Sequence, residues 1–241
     1  MKPIRFFRHI ACEGPGYLGA ILERLQWPYE VVCIDDGHAV PTAFDDVAGL
    51  VFMGGSMSVN DPLPWINDEI DLIQRAHQAG VPMLGVCLGS QLLTKALGGT
   101  VSKGSSGQEI GWHPLHWVNG ASGIRALTDL PDEPLAFHWH GDTFSLPPGA
   151  ELLLGSACYP HQAYACGKSL ALQFHIEVTA EMVQEWVKLY AGDIAQGGVC
   201  NQAHAEISHN LETRIPALHR LADSLFEHWL AGLNEPPLKD R

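Results

Sequence analysis

The chain has 241 residues and is 46% hydrophobic, enough to bury a substantial core in one domain or in one domain plus an extension. A formal net charge of −13 with neutral histidines argues against nucleic acid as the main partner, since phosphate binding needs a surplus of Lys and Arg. No apolar run approaches membrane-spanning length and the start, MKPIRFFRHI, does not read as a secretory leader, so the expectation is a cytoplasmic protein with no membrane partner.

The first half alternates short apolar runs with helical patterns. Strands are predicted at 4–11, 29–35, 49–55 and 81–86, and a helix within GPGYLGAILERL. A second helix is predicted over 64–80, where Ile66, Ile70 and Ile73 recur at helical spacing and Gly80 provides the stop. A third follows in LGSQLLTKALGG. Apolar strands alternating with helices predict an α/β fold, a mostly parallel open sheet with helices on both faces.

The second half predicts shorter strands, with a hairpin turn at Asn119-Gly120 and strand-like runs through LAFHWH and ELLLGSA to SLALQFHIEV, 169–178. TAEMVQEWVKLY reads as a helix capped by Thr179, with Val183, Val187 and Tyr190 on one face. From about residue 197 the composition turns polar. Pro216 suggests two tail helices, the second starting near it, with Leu218, Leu221, Ala222, Leu225 and Trp229 as the buried stripe. The expected organisation is a domain over 1–196 and a helical extension over 197–241 packed on it.

Six cysteines, Cys12, Cys33, Cys87, Cys158, Cys166 and Cys200, show no CxxC pairing, and reduced thiols are expected. Cys87 stands apart. In GVCLGSQ it lies between two glycines, after an apolar strand and before a helix, the arrangement of a nucleophile elbow. The helix amino end favours a thiolate, and the Leu88 amide could serve an oxyanion. A buried thiol at a tight turn is the plain alternative. In QFHIE, strand alternation would point His175 and Glu177 the same way, a carboxylate beside an imidazole. In GGSMSVND the glycines would bring backbone amides close to a ligand, that of Gly55 facing that of Leu88.

GVCLGSQ followed much later by QFHIEV resembles the class I glutamine amidotransferases. MGGSMSVND is similar to that family's oxyanion loop, EIGWHPL to the segment after its nucleophile helix, and WHGDTF to the loop that grips the glutamine backbone. Within the family the likeness is to the amidotransferase domain of GMP synthase, here as a free-standing chain. The resemblance implies Cys87 as nucleophile, His175 as base and acid, and Glu177 as its orienter. It implies the amides of Gly55 and Leu88 for the oxyanion, and Gln91, Gly141 and Asp142 near the glutamine α-amino and α-carboxylate groups. Ile176 stands where the family usually has proline. The implied reaction is hydrolysis of the glutamine side-chain amide through a γ-glutamyl thioester, with ammonia released to an acceptor that a synthetase partner protein could carry.

CGKS at 166–169 lacks the upstream glycine of a phosphate loop, and no cofactor is expected. His113, His116, His138 and His140 are read as chance spacing rather than a metal site, so no metal is expected. Three other readings stay open: a γ-glutamyl amide or peptide hydrolase on the same fold, an α/β-hydrolase using the cysteine, and a non-enzymatic regulatory or binding module.

Overall fold

The computed structural model describes residues 1–118 and 130–233; the Asn119-Gly120 turn lies outside them. The first half runs β1 (Ile4–Arg8), α1 (Gly16–Arg24), β2 (Tyr29–Cys33), β3 (Gly49–Phe52), α2 (Pro64–Gln78), β4 (Met83–Val86) and α3 (Leu88–Ala96). The second supplies β5 (Val101–Lys103), β6 (Glu109–Trp117), β7 (Leu135–His140), β8 (Asp142–Phe144), β9 (Glu151–Ser156), β10 (Ala163–Cys166) and β11 (Ser169–Leu172). The helices α4 (Ala180–Leu189), α5 (Ala191–Gln196), α6 (His204–Ile207) and α7 (Leu211–Gly232) follow.

A nine-stranded sheet has the order β2-β1-β3-β4-β11-β10-β9-β6-β7. From β2 to β11 neighbouring strands pair in parallel, and from β11 to β7 they pair antiparallel. Strand alternation sorts the core onto two faces. Ile4, Phe6, Val51, Leu84 and Val86 face one way, onto α1, α4 and α7. Phe7, Leu50, Phe52 and Met83 face the other way, onto α2 and α3. Both sides of β1, β3 and β4 are therefore apolar, the pattern the sequence shows as near-continuous hydrophobic runs.

Thr179 caps α4, its hydroxyl oxygen accepting from the Met182 amide at 3.3 Å. The predicted tail boundary needs correction. The long helix α7 begins at Leu211 and carries Pro216 inside it. A proline there costs about 3 kcal/mol, but it sits on the exposed side near the helix start, where water can satisfy the freed carbonyl. Burying Leu218, Leu221, Leu225, Phe226 and Trp229 contributes on the order of 10 kcal/mol, so the stripe wins. Its residues join the cluster that holds Ile4 and Leu18.

Two further expectations are overturned. The strand predicted over 169–178 stops at Leu172; beyond it the chain leaves the parallel sheet, and His175 makes one antiparallel bridge to Phe137. Nor are all thiols reduced: Cys158 and Cys200 form a disulfide, their Cα atoms 6.3 Å apart. The sequence hid the pair because the two cysteines lie on separate loops 42 residues apart. The bond ties the loop after β9 to the segment before α6, which also pins β6 through Ile110 N to Cys200 O at 3.0 Å. Replacing both cysteines by serine is expected to lower unfolding free energy by about 2–4 kcal/mol, measured by denaturant titration under oxidising conditions. An unchanged midpoint would mean the bond constrains nothing.

Candidate active site

Cys87 is the residue between β4 and α3, with φ 51° and ψ −107°, a backbone conformation that costs a non-glycine residue about 1–3 kcal/mol. The flanking glycines have a different task from the one the motif suggests. A Cβ on Gly85 would lie 2.5 Å from the Gly89 carbonyl oxygen, and one on Gly89 would collide with the Phe52 carbonyl. They let α3 sit directly against the ends of β3 and β4. Leu88 is then the first residue of α3, so its amide has no partner within the helix.

The sulfur, the imidazole and the carboxylate come together. His175 Nδ1 lies 2.7 Å from Glu177 Oε1, and the ring is close enough to Cys87 for the sulfur to act on its charge. Burial opposes a charge on His175. The Glu177 carboxylate, the Cys87 sulfur and the hydrogen bond to Glu177 outweigh it and hold the ring well above its ordinary pKa. Cys87 also donates to the Trp139 carbonyl at 3.7 Å and accepts from Gln173 Nε2 at 3.7 Å. The pairing of His175 with Glu177 does not arise from strand alternation. It comes from a short irregular segment held by His175 N to Phe137 O at 2.8 Å.

Above the sulfur lies a pocket of about 200 Å³, lined among others by Gly55, Cys87, Leu88, Gln91, Gly141 and Asp142. All five residues expected at the oxyanion and substrate positions therefore meet at one cavity with the cysteine. A Cβ on Gly55 would lie 2.9 Å from Leu88 Cδ2, so the glycine loop and the helix start are in contact. Ser58, from the same loop, donates to Asp142 Oδ2 at 2.8 Å and joins two pocket walls. Gln91 Nε2 donates to Gln173 Oε1 at 3.2 Å, which links it to the residue beside the sulfur.

Several residues here escaped sequence reasoning. His9 and Glu69 form a wholly buried pair behind the glycine loop, with His9 Nε2 3.0 Å from Glu69 Oε2. The other ring nitrogen is 3.0 Å from the Met53 carbonyl and 3.2 Å from that of Gly54. In a trans peptide the carbonyl of Gly54 and the amide of Gly55 point in opposite directions. Anchoring one aims the other. Burial lowers the affinity of His9 for a proton, but the Glu69 charge and hydrogen bond overcome this and raise its pKa.

Glu13 enters from the loop between β1 and α1 and lines the same pocket. Its carboxyl is buried, and burial pushes its pKa up to about 7. The sequence clue was an acid in ACEGPG, just beyond the carboxyl end of a parallel strand, where sites of such sheets gather. Gln108 and Tyr190 also line the cavity. Gln108 Oε1 is buried with no hydrogen-bond partner among the described residues.

His138 and His140, from the HxH spacing, meet Glu109 beside the pocket. Glu109 Oε2 lies 2.9 Å from His140 Nε2 and 3.3 Å from His138 Nδ1. It also accepts from Gln162 at 2.6 Å, while Oε1 accepts from Ser156 at 2.7 Å. Burial works against the Glu109 charge, but the two histidines outweigh it and hold the carboxyl well below its usual range. The carboxylate with its ring of donors shapes the wall that carries His140.

The glutamine amidotransferase class-I family model matches residues 18–188. A crystal structure of a glutamine amidotransferase from Methylobacillus flagellatus is similar at 36% identity and TM-score 0.91, over 100% of this chain and 99% of that one. The chain belongs to the class I glutamine amidotransferase family. A glutamine amidotransferase structure from Thermotoga maritima is similar at 29% identity and TM-score 0.84, covering 97% of this chain and 99% of that one. Among curated proteins, a GMP synthase of Lactobacillus delbrueckii is 31% identical over 61% of this chain. The glutamine amidotransferase-like protein YfeJ of Salmonella typhimurium is 30% identical, also over 61%. The chain spans 28% of that GMP synthase and 64% of YfeJ. This amidotransferase-family fold accounts for the α/β sheet and for the site at the carboxyl ends of its strands. Among the described residues no helix is long and apolar enough to cross a membrane.

Proposed function

We propose that the chain hydrolyses the side-chain amide of glutamine with Cys87 as nucleophile, His175 as acid and base, and Glu177 as the group that orients and charges the ring. The observation that carries this reading is the meeting of the Cys87 sulfur with the His175–Glu177 pair at one small pocket. At about 200 Å³ the pocket is below the roughly 300–1,000 Å³ of sites for larger ligands, which favours a free amino acid.

The thiolate attacks the amide carbon. The developing oxyanion is held by the amides of Gly55 and Leu88, each worth about a hundredfold or more in rate. The His175 imidazolium gives its proton to the leaving nitrogen as the C–N bond breaks, leaving a γ-glutamyl thioester on Cys87. The neutral ring then takes a proton from water, hydroxide adds to the thioester, and glutamate departs. Gln91, Gly141 and Asp142 hold the α-amino and α-carboxylate end.

Residues 1–196 form the amidotransferase unit in this reading, consistent with the span of the family match, and 197–241 its extension. The ammonia goes to an acceptor held by a synthetase partner, as the likeness to part of GMP synthase suggests. The compartment in this reading is the cytoplasm, where a disulfide such as Cys158–Cys200 is an exception to the usual reduced state of thiols.

The test is a substrate panel read by glutamate release. Glutamine is expected to be turned over in preference to γ-glutamyl dipeptides, and a glutamine-mimicking diazo ketone to add mass at Cys87 alone. A clear preference for dipeptides would reassign the site to γ-glutamyl peptide hydrolysis. Protein left unlabelled by the diazo ketone would point to a binding module.

A further inference from the structure

The carboxyl of Glu13 has no place in the triad chemistry, yet it faces the same cavity as Cys87. Its position is tightly defined. A Cβ on Gly54 would collide with Glu13 Oε2 and come within 3.1 Å of His175 Cε1, so Gly54 leaves the space in which the carboxyl and the catalytic ring lie side by side. Glu13 Oε1 accepts from the Tyr190 hydroxyl at 3.3 Å, and the Glu13 amide donates to the Ile10 carbonyl at 3.0 Å.

The substrate assignment, on which this inference rests, fixes what that side of the pocket must hold. With the amide carbon over the sulfur, the carbonyl oxygen turns to Gly55 and Leu88, and the amino-acid end runs to Gln91 and Asp142. The remaining substituent is the amide nitrogen, which faces the His175 ring. Beside that ring stands Glu13. We propose that Glu13 is a further catalytic residue, its carboxylate accepting an N–H hydrogen bond from the leaving nitrogen as ammonia forms and departs. No covalent bond to Glu13 is made or broken. The proton that completes ammonia comes from His175, and the electron pair of the C–N bond leaves with nitrogen. Glu13 steadies the positive character that nitrogen gains.

The groups facing Glu13 come from several elements. Tyr190 follows α4, His9 follows β1, His175 and Glu177 follow β11, and Cys12 is its chain neighbour; burial foremost, then the charges of His175, Glu177 and His9 and the Tyr190 hydrogen bond, push its pKa up to about 7. Ionised Glu13 is the accepting form, so its contribution is present above about pH 7 and fades as pH falls through that value.

Glu13→Gln keeps the size of the side chain and an acceptor for Tyr190 but removes the charge. We expect kcat for glutamine to fall about ten- to a hundredfold with KM little changed, and the acid limb near pH 7 to disappear from the kcat profile. Labelling of Cys87 by the diazo ketone releases dinitrogen rather than ammonia, so the variant should label at the wild-type rate. Glu13→Asp should recover part of kcat and restore the acid limb. A variant with wild-type kcat and an unchanged acid limb overturns the proposal, as does one whose labelling slows as much as its turnover. Wild-type protein that neither releases glutamate nor takes the label overturns the glutaminase reading, and this inference with it.

Discussion

Cys87→Ala is expected to abolish glutamate release, by at least about a thousandfold, while the protein stays folded. The change removes one sulfur from a residue 6% exposed and leaves the strained backbone in place. Cys87→Gly should be equally inactive yet more stable than the alanine variant by about 1 kcal/mol, because glycine relieves the cost of φ 51°. Coupled measurement of glutamate release and denaturant unfolding separates the two effects. An alanine variant that still turns over glutamine near the wild-type rate would remove the cysteine from the chemistry. Equal stabilities for alanine and glycine would show that the elbow stores no strain. The strain is tolerated because α3 and the ends of β3 and β4 pack too closely to allow another path for the chain.

Glu177→Gln is the second large effect. The amide can still hold the His175 ring but no longer charges it, and a loss of about a hundredfold or more in kcat is expected. The same change alters stability in a pH-dependent way. His175 takes up its proton more readily in the folded protein than in the unfolded chain. The stabilisation from that difference is fully present below about pH 6.5, the unfolded value, and is lost as pH rises through the raised folded value. The stability deficit of Glu177→Gln should therefore be greatest near pH 6 and shrink toward alkaline pH. Unfolding titrations at pH 6 and pH 9 measure it. A deficit that grows with pH would mean the ring is not protonated in the folded protein.

Much of the site was legible because its chemistry depends on residue types at short spacing. GVCLGSQ and GGSMSVND each place glycines where backbone must approach backbone or ligand, and such glycines show in a sequence. The place of Glu13 was marked only faintly, by an acid just past a parallel strand. Glu13 is a lone carboxyl whose importance comes from closure of the sheet, which sets β1 beside β3 and brings the β1–α1 loop over the glycine loop. His9 and Glu69 lie 60 residues apart and carry no local signal. Where the sequence reading reached a right result for a wrong reason, His175 and Glu177 show why. Side-chain alternation predicts the same pairing as the turn that actually produces it.

By itself the sequence determined the alternation of apolar strands and amphipathic helices, because burial on two faces of a sheet writes period-2 and period-3.6 patterns into the chain. It also determined the cysteine elbow and the His-x-Glu pair, whose spacing is local. Only the tertiary structure decided the antiparallel half of the sheet, the passage of α7 through Pro216, the Cys158–Cys200 bond and the place of Glu13 beside the His175 ring. Each of those depends on contacts between distant segments, where summed burial outweighs the local preference that a sequence window can reveal.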